Sequence, residues 1–223
     1  MNGVGRLDLE FLRQRLRARC SETSVEWSQS LAPGSGREAE AGLTGIPSAP
    51  APTPFVPPAT PAAVLVGLLD EGGETRVILT RRTTDLSDHP GEISLPGGRL
   101  EPQDTGPEAA ALREAQEEVG LPPDRVRVLG CLPAYRTVTD YCVHPVVGWV
   151  ESPVLLRPDP KEVAEVFLVP LSLILDPANY GLGSVVRNGV RRTYYELFYE
   201  GRRIWGATAG ILVSLARLLA EEG

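Results

Sequence analysis

Leu95-Pro-Gly-Gly-Arg-Leu-Glu-Pro-Gln-Asp-Thr-Gly-Pro-Glu-Ala-Ala-Ala-Leu-Arg-Glu-Ala-Gln-Glu-Glu-Val-Gly-Leu121 is the stretch from which the rest of the chain is read. Thr105 and Glu108 have the spacing of a capping box, and Pro107 suits a first helical turn. Gly120, followed by Pro122 and Pro123, closes the helix. Between these signals a helix of about three to four turns is expected. Ala111, Leu112, Ala115 and Val119 form an apolar stripe that should face a sheet. Glu114, Glu117 and Glu118 stand at i, i+3 and i+4 and share another face. Like charges so placed repel by a few tenths of a kcal/mol when exposed, and by more when desolvated. A multivalent cation removes the conflict, and hard divalent ions such as Mg²⁺ take oxygen ligands together with substrate phosphates. Pro96-Gly97-Gly98 lets the backbone turn sharply beside a ligand, with a free carbonyl to complete a coordination sphere. A solvated acidic face is the competing explanation. The Gly-Gly loop, Arg113 and the closing glycine at matching intervals weigh against it.

The segment resembles the Nudix box, G-x5-E-x7-R-E-U-x-E-E-x-G-U with U a bulky apolar residue. Gly98, Arg113, Glu114, Glu117, Glu118, Gly120 and Leu121 fall into place. Asp104 stands at the first Glu position, eight residues rather than seven before Arg113, and Ala115 is small for its apolar slot. The resemblance implies an α/β fold of the Nudix type, an α/β/α sandwich with a mixed β-sheet. It also implies that Gly98, Glu114, Glu117 and Glu118 ligate Mg²⁺ or Mn²⁺. Arg113 would orient a carboxylate, and Glu114 would help to deprotonate the attacking water. A further acidic ligand is expected from Lys161-Glu-Val-Ala-Glu-Val-Phe-Leu-Val-Pro170. Glu162 is favoured over Glu165, and a solvated loop or helix face is the alternative for both.

Upstream, Leu79-Thr-Arg-Arg-Thr-Thr-Asp-Leu-Ser-Asp-His-Pro-Gly91 and Leu95-Pro-Gly-Gly98 resemble a second signature, L-L-T-x-R-[SA]-x3-R-x3-G-x3-F-P-G-G. That signature belongs to the coenzyme A pyrophosphatase branch. Leu79, Thr80, Arg82, Gly91 and Pro96-Gly97-Gly98 match, whereas Ser87 stands where the branch has a second Arg. Strand alternation lets only one of Arg81 and Arg82 face the site, and Arg82 at the matching position is expected to bind phosphate. His89 is a further candidate for substrate binding. Tyr135, Arg136 and Tyr141 are either pocket or packing residues. Trp205 is expected to anchor the last helix in the core. The implied reaction is hydrolysis of coenzyme A to 3′,5′-ADP and 4′-phosphopantetheine. An ADP-sugar or dinucleotide is the enzymatic alternative, and a non-catalytic ligand sensor is the alternative from another class.

Outward from this centre, Ala62-Ala-Val-Leu-Val-Gly-Leu-Leu69 reads as a strand buried on both faces. Arg76–Thr80 is its hairpin partner across Glu71-Gly-Gly-Glu74. Val126–Leu132 and Cys142–Val150 read as two more strands. Asn188-Gly189 signals a hairpin between Val185-Val186 and Tyr194–Phe198, Glu200-Gly201 turns the chain toward Ile204, and a final helix covers about 207–221. The organisation expected is an N-terminal helix over 1–19, a Pro/Ala/Gly/Ser-rich linker over 20–56, and the Nudix domain over 57–223.

The 223-residue chain carries a net charge of −7. That balance argues against general nucleic-acid binding, while a bound cation would still admit a polyanionic small molecule. No apolar run nears the roughly 20 residues needed to span a bilayer, and the Arg-rich N-terminus lacks the apolar core of a secretory signal. Cys20, Cys131 and Cys142 form no CxxC pair, which fits reduced thiols in a cytoplasm. A homodimer is an open arrangement for such a chain.

Overall fold

The apolar run at 62–69 becomes the middle of the sheet in the computed structural model, which describes residues 10, 12–14, 16, 59–85, 89–187 and 190–220. Strand β1 (Thr60–Glu71) turns through Gly72-Gly73 into β2 (Glu74–Arg82), its antiparallel partner. On its other side β1 lies parallel to β7 (Tyr141–Val150), which pairs in turn with β5 (Val126–Cys131). Burial on both faces explains why β1 alternates so little. Three short strands extend the array: β3 (Ile93–Ser94) beside β2, β4 (Gly97–Arg99) beside β1, and β6 (Tyr135–Arg136) beside β7. A longer strand, β8 (Val163–Pro170), pairs antiparallel with β2. The main path is β3-β2-β1-β7-β5, with the β1–β7 pair parallel and the others antiparallel.

Helix α1 (Pro107–Val119) covers one face. Ala110, Ala111, Ala115 and Val119 bury their side chains against Ala63, Leu65, Val146 and Val150, and the run of alanines lets the helix axis come close to the strands. The opposite face carries α2 (Leu171–Leu175), α3 (Gly206–Ala220) and a second sheet. That sheet has the order β11-β10-β9, from β9 (Gly181–Arg187), β10 (Val190–Tyr199) and β11 (Arg202–Trp205). Val66, Leu68 and Val147 of the large sheet meet Leu197, Ile204, Leu212 and Leu215 there. The fold is thus the mixed α/β sandwich that the pattern of strands and helices implied. No helix among the described residues is long and apolar enough to cross a membrane.

Several local expectations are corrected. Thr105 does not cap α1: Gly106 holds the N-cap position without a side-chain bond, and Pro107 opens the helix. The carboxylate beside this turn is used elsewhere, as shown below. Residues 163–170 form a strand rather than a loop or helix face. Trp205 lies on β11 in an edge-to-face contact with Tyr194, ring centroids 5.1 Å apart, with Arg203 over it, and outside the set of buried core residues. The expected linker at 20–56, most of the expected helix at 1–19 and the Asn188-Gly189 turn lie outside the described residues. Residues 10, 12–14 and 16 are helical, and Leu12 and Leu16 are completely buried in the α3-side core. A Cβ on Gly130 of β5 would strike Leu16, so glycine is what admits the N-terminal segment.

Candidate metal and diphosphate site

Close approach of three backbone segments builds the site. Leu65 N donates to Pro96 O at 2.8 Å, and β4 pairs with β1 immediately afterwards. A Cβ on Gly97 would strike Ala63 O and Val64 Cα, and one on Gly98 would lie within the Glu114 carboxylate. The glycine pair is therefore a steric requirement of this junction. At the far end of α1, Gly120 adopts the left-handed conformation (φ 65°). Its N–H and that of Leu121 bond to Gln116 O and Ala115 O, which stops the helix. The last carbonyls of α1 receive Arg157 N (2.8 Å, on Val119 O) and Asp159 N (2.9 Å, on Glu118 O). That pins residues 157–162 against the helix and brings Glu162 to its acidic face.

Arg113 is the hub of the polar network. Its Nη1 donates to Glu114 Oε1 at 2.9 Å and to Glu117 Oε2 at 3.0 Å. Nη2 donates to Arg99 O at 3.1 Å. Nε and Nη2 grip Asp104 in a fork, at 3.1 and 3.0 Å. Glu101 N also donates to Asp104 Oδ2. The Arg113 guanidinium holds the Asp104 carboxyl below its ordinary range, and in return Arg113 is held more firmly protonated. Asp104, left outside the candidate residues by the sequence reading, is thus the group that fixes Arg113. Its displaced position in the motif was the available signal. The longer spacing is absorbed before helix residue 107, and the shorter Asp still reaches the guanidinium.

The three glutamates of α1 sit in unequal surroundings, with side-chain exposures of 15% for Glu114, 60% for Glu117 and 3% for Glu118. Gly97 N donates to Glu118 Oε2 at 3.2 Å, and Arg82 Nη1 stands 3.5 Å from Oε1. Burial nevertheless pushes the Glu118 carboxyl up to about 7, against the pull of those two donors. Burial also raises Glu114, partly offset by Arg113. The charge of Glu162 acts on both. Such a cluster is electrostatically unfavourable alone, because desolvation and like charge both oppose ionisation. A small dication bound by oxygen alone reverses both penalties, and the donors gathered here are all oxygens. The residues therefore fit a Mg²⁺- or Mn²⁺-like ion. As the side chains stand, no three acidic, His or Cys groups among the described residues converge tightly enough to cage one. Glu114 and Glu117 instead share Arg113.

The structure brings Gly98, Glu114, Glu118, Glu162 and Arg82 to one place, with Arg113 behind them and Glu117 on the rim. It does not bring Glu165 there: that carboxylate lies between Arg81 (3.0 Å) and Arg202 and is held below its ordinary range. His89 is half exposed, has a positive φ of 55°, and shares a 2.7 Å hydrogen bond with Glu92. Tyr141 accepts from Arg99, Arg136 pairs with Asp140, and Tyr135 lies largely buried against Gly210 of α3. Among the described residues Cys131 and Cys142 form no disulfide.

Comparison with known proteins places the chain among relatives. The family profile described as NUDIX domain matches residues 58–188. The chain is 40% identical over 156 residues to the uncharacterized Nudix hydrolase NudL of Photorhabdus laumondii, spanning 70% of this chain and 83% of that one. It is 39% identical over 155 residues to NudL of Escherichia coli K12, spanning 70% and 80%. Among solved structures it is similar to the Nudix hydrolase RenU of M. smegmatis, with 27% identity, TM-score 0.45, and 51% and 72% of the two chains covered. A MutT/nudix family protein of Enterococcus faecalis aligns over 96% of this chain and 75% of its own, at 16% identity and TM-score 0.47. With the profile spanning more than half of the sequence, and NudL relatives matched over most of their length, the chain belongs to the Nudix hydrolase family.

Proposed function

We propose that this Nudix hydrolase is a divalent-metal-dependent pyrophosphohydrolase that cleaves coenzyme A to 3′,5′-ADP and 4′-phosphopantetheine. The observation that carries the reading is the carboxylate pair of partly buried Glu114 and buried Glu118. They are packed against the Gly97-Gly98 backbone and under the added negative charge of Glu162. Gly98 O, Glu114, Glu117, Glu118 and Glu162 would hold Mg²⁺ or Mn²⁺. When bound, such an ion would supply charge neutralisation for the substrate phosphates and would make water more acidic. Glu114 accepts a proton from the attacking water, in a position fixed by Arg113 and, through it, by Asp104. Arg82 donates to a diphosphate oxygen. Its Nε is buried without an acceptor among the described residues, which leaves it available to a ligand oxygen. Coenzyme A is favoured over other nucleoside diphosphates by the run Leu79, Thr80, Arg82, Gly91 and Pro96-Gly97-Gly98.

Product analysis with Mg²⁺ and Mn²⁺ in ¹⁸O-labelled water tests this directly. Release of 3′,5′-ADP and 4′-phosphopantetheine, with label in one of them, is expected. Rapid turnover of an ADP-sugar or dinucleotide without release of phosphopantetheine would assign the site to another nucleoside diphosphate derivative, a reading that Ser87 in place of a second Arg favours.

A further inference from the structure

A cleft of about 610 Å³ opens beside the carboxylate cluster, between the end of β2 and the start of β8. Two contacts join it to the site. Arg82 lines the cleft and also reaches Glu118. The opposite wall is formed by Pro160, Val163 and Ala164, which flank Glu162 in the chain, and the Glu162 carbonyl accepts from Thr83 N at 2.9 Å. The cleft exists because the β2–β8 pairing slips here. Arg81 opposes Glu165 and Arg82 opposes Val163, which leaves Ala164 unmatched. Such a bulge bends the strand and re-aims its side chains, and the odd residue carries only a methyl group.

We infer that this cleft holds the pantetheine arm of the substrate, with the adenosine half extending from the other side of the diphosphate. The inference rests on coenzyme A being the substrate. Three features of the lining support it. Among the described residues no aromatic side chain lines the cleft, so they offer no stacking surface of the kind a purine would use. Of the two cations among the described lining residues, Arg81 is already matched by Glu165, and Asp85 adds a carboxylate on the loop side. With Arg82 given to the diphosphate, that arrangement leaves no further cation for the 3′-phosphate of the nucleotide half and tolerates a neutral chain. The remaining walls alternate apolar groups (Val163, Ala164) with the Thr84 hydroxyl, which can donate or accept. They suit an uncharged, flexible arm bearing amides and a hydroxyl. The volume lies within the range of small-molecule sites.

The test compares coenzyme A with the methyl ester of 3′-phospho-ADP, which keeps the nucleotide and the scissile diphosphate but lacks the arm. Ala164→Phe narrows the cleft from β8, and Thr84→Phe narrows it from the loop without touching the β2–β8 pairing. Each should lower kcat/KM for coenzyme A at least about tenfold relative to the methyl ester. Should one variant fail to fold, the other carries the comparison. An unchanged ratio in folded protein overturns the cleft assignment while leaving coenzyme A as the substrate. A wild-type enzyme that cleaves other nucleoside diphosphates but not coenzyme A overturns the proposed function itself, and the cleft assignment with it.

Discussion

Glu118 combines the deepest burial of the three glutamates with two donors that do not neutralise it, Gly97 N and the more distant Arg82. Glu118→Gln should therefore lower turnover by at least about tenfold, because an amide cannot replace an anionic ligand. In metal-free protein the same change should leave the melting temperature unchanged or raise it, since a buried charge is removed. Activity assays and thermal melts on one preparation check both halves. Asp104→Asn weakens the fork on Arg113, so kcat should fall about tenfold, with Asp104→Glu restoring part of the loss. If kcat is unmoved in Asp104→Asn, Arg113 is positioned by Glu114, Glu117 and the Arg99 carbonyl alone. At this scale the three glutamates were legible because helical spacing is a local property. The fork was not, because it joins residues nine positions apart across a turn whose path the spacing does not specify. The expected capping box at Thr105 failed for a related reason. With Asp104 bound to Arg113 and Pro107 opening the helix, the N-cap position falls on Gly106.

Among the elements, α1 is the one whose ends were both signalled in the sequence, and its C-terminus can be tested alone. Gly120 has φ 65°, and an added Cβ would lie 3.1 Å from Arg157 O. Gly120→Ala should thus cost about 1–2 kcal/mol in urea unfolding. It should also lower activity by disturbing the segment that carries Glu162. A loss of stability with no loss of activity would separate the helix stop from the placement of Glu162. Strand β1 was equally legible, since burial on both faces leaves a continuous apolar run. Strand β8 was not. Its Val163, Phe167 and Val169 are buried, but the alternation is broken by the bulge at Ala164 and by Glu165, whose charge is satisfied by Arg81 and Arg202 from other strands. No local pattern announces partners supplied from that far along the chain.

The whole molecule joins parts that composition separated. The Pro/Ala/Gly/Ser-rich stretch at 20–56 set the expected N-terminal helix apart from the domain at 57–223, yet Leu12 and Leu16 are completely buried and Leu16 fills the space over Gly130. Leu16→Ala should cost roughly 2–5 kcal/mol, as for other buried leucines, read as a shift in the urea midpoint at constant slope. A cost within about 0.5 kcal/mol, the range of ordinary surface substitutions, would place those residues outside the folded unit. Docking of this kind depends on a glycine more than a hundred residues away, which is why helical periodicity alone did not reveal it. In the proposed reaction the acidic face of α1 binds a divalent ion for diphosphate cleavage. Crystals soaked in Mn²⁺ and measured at the manganese absorption edge test that directly. An anomalous peak bounded by Gly98 O, Glu114, Glu117 and Glu118 is the predicted result. A well-ordered structure with no peak there, or with Mn²⁺ only at other surface carboxylates, would contradict it.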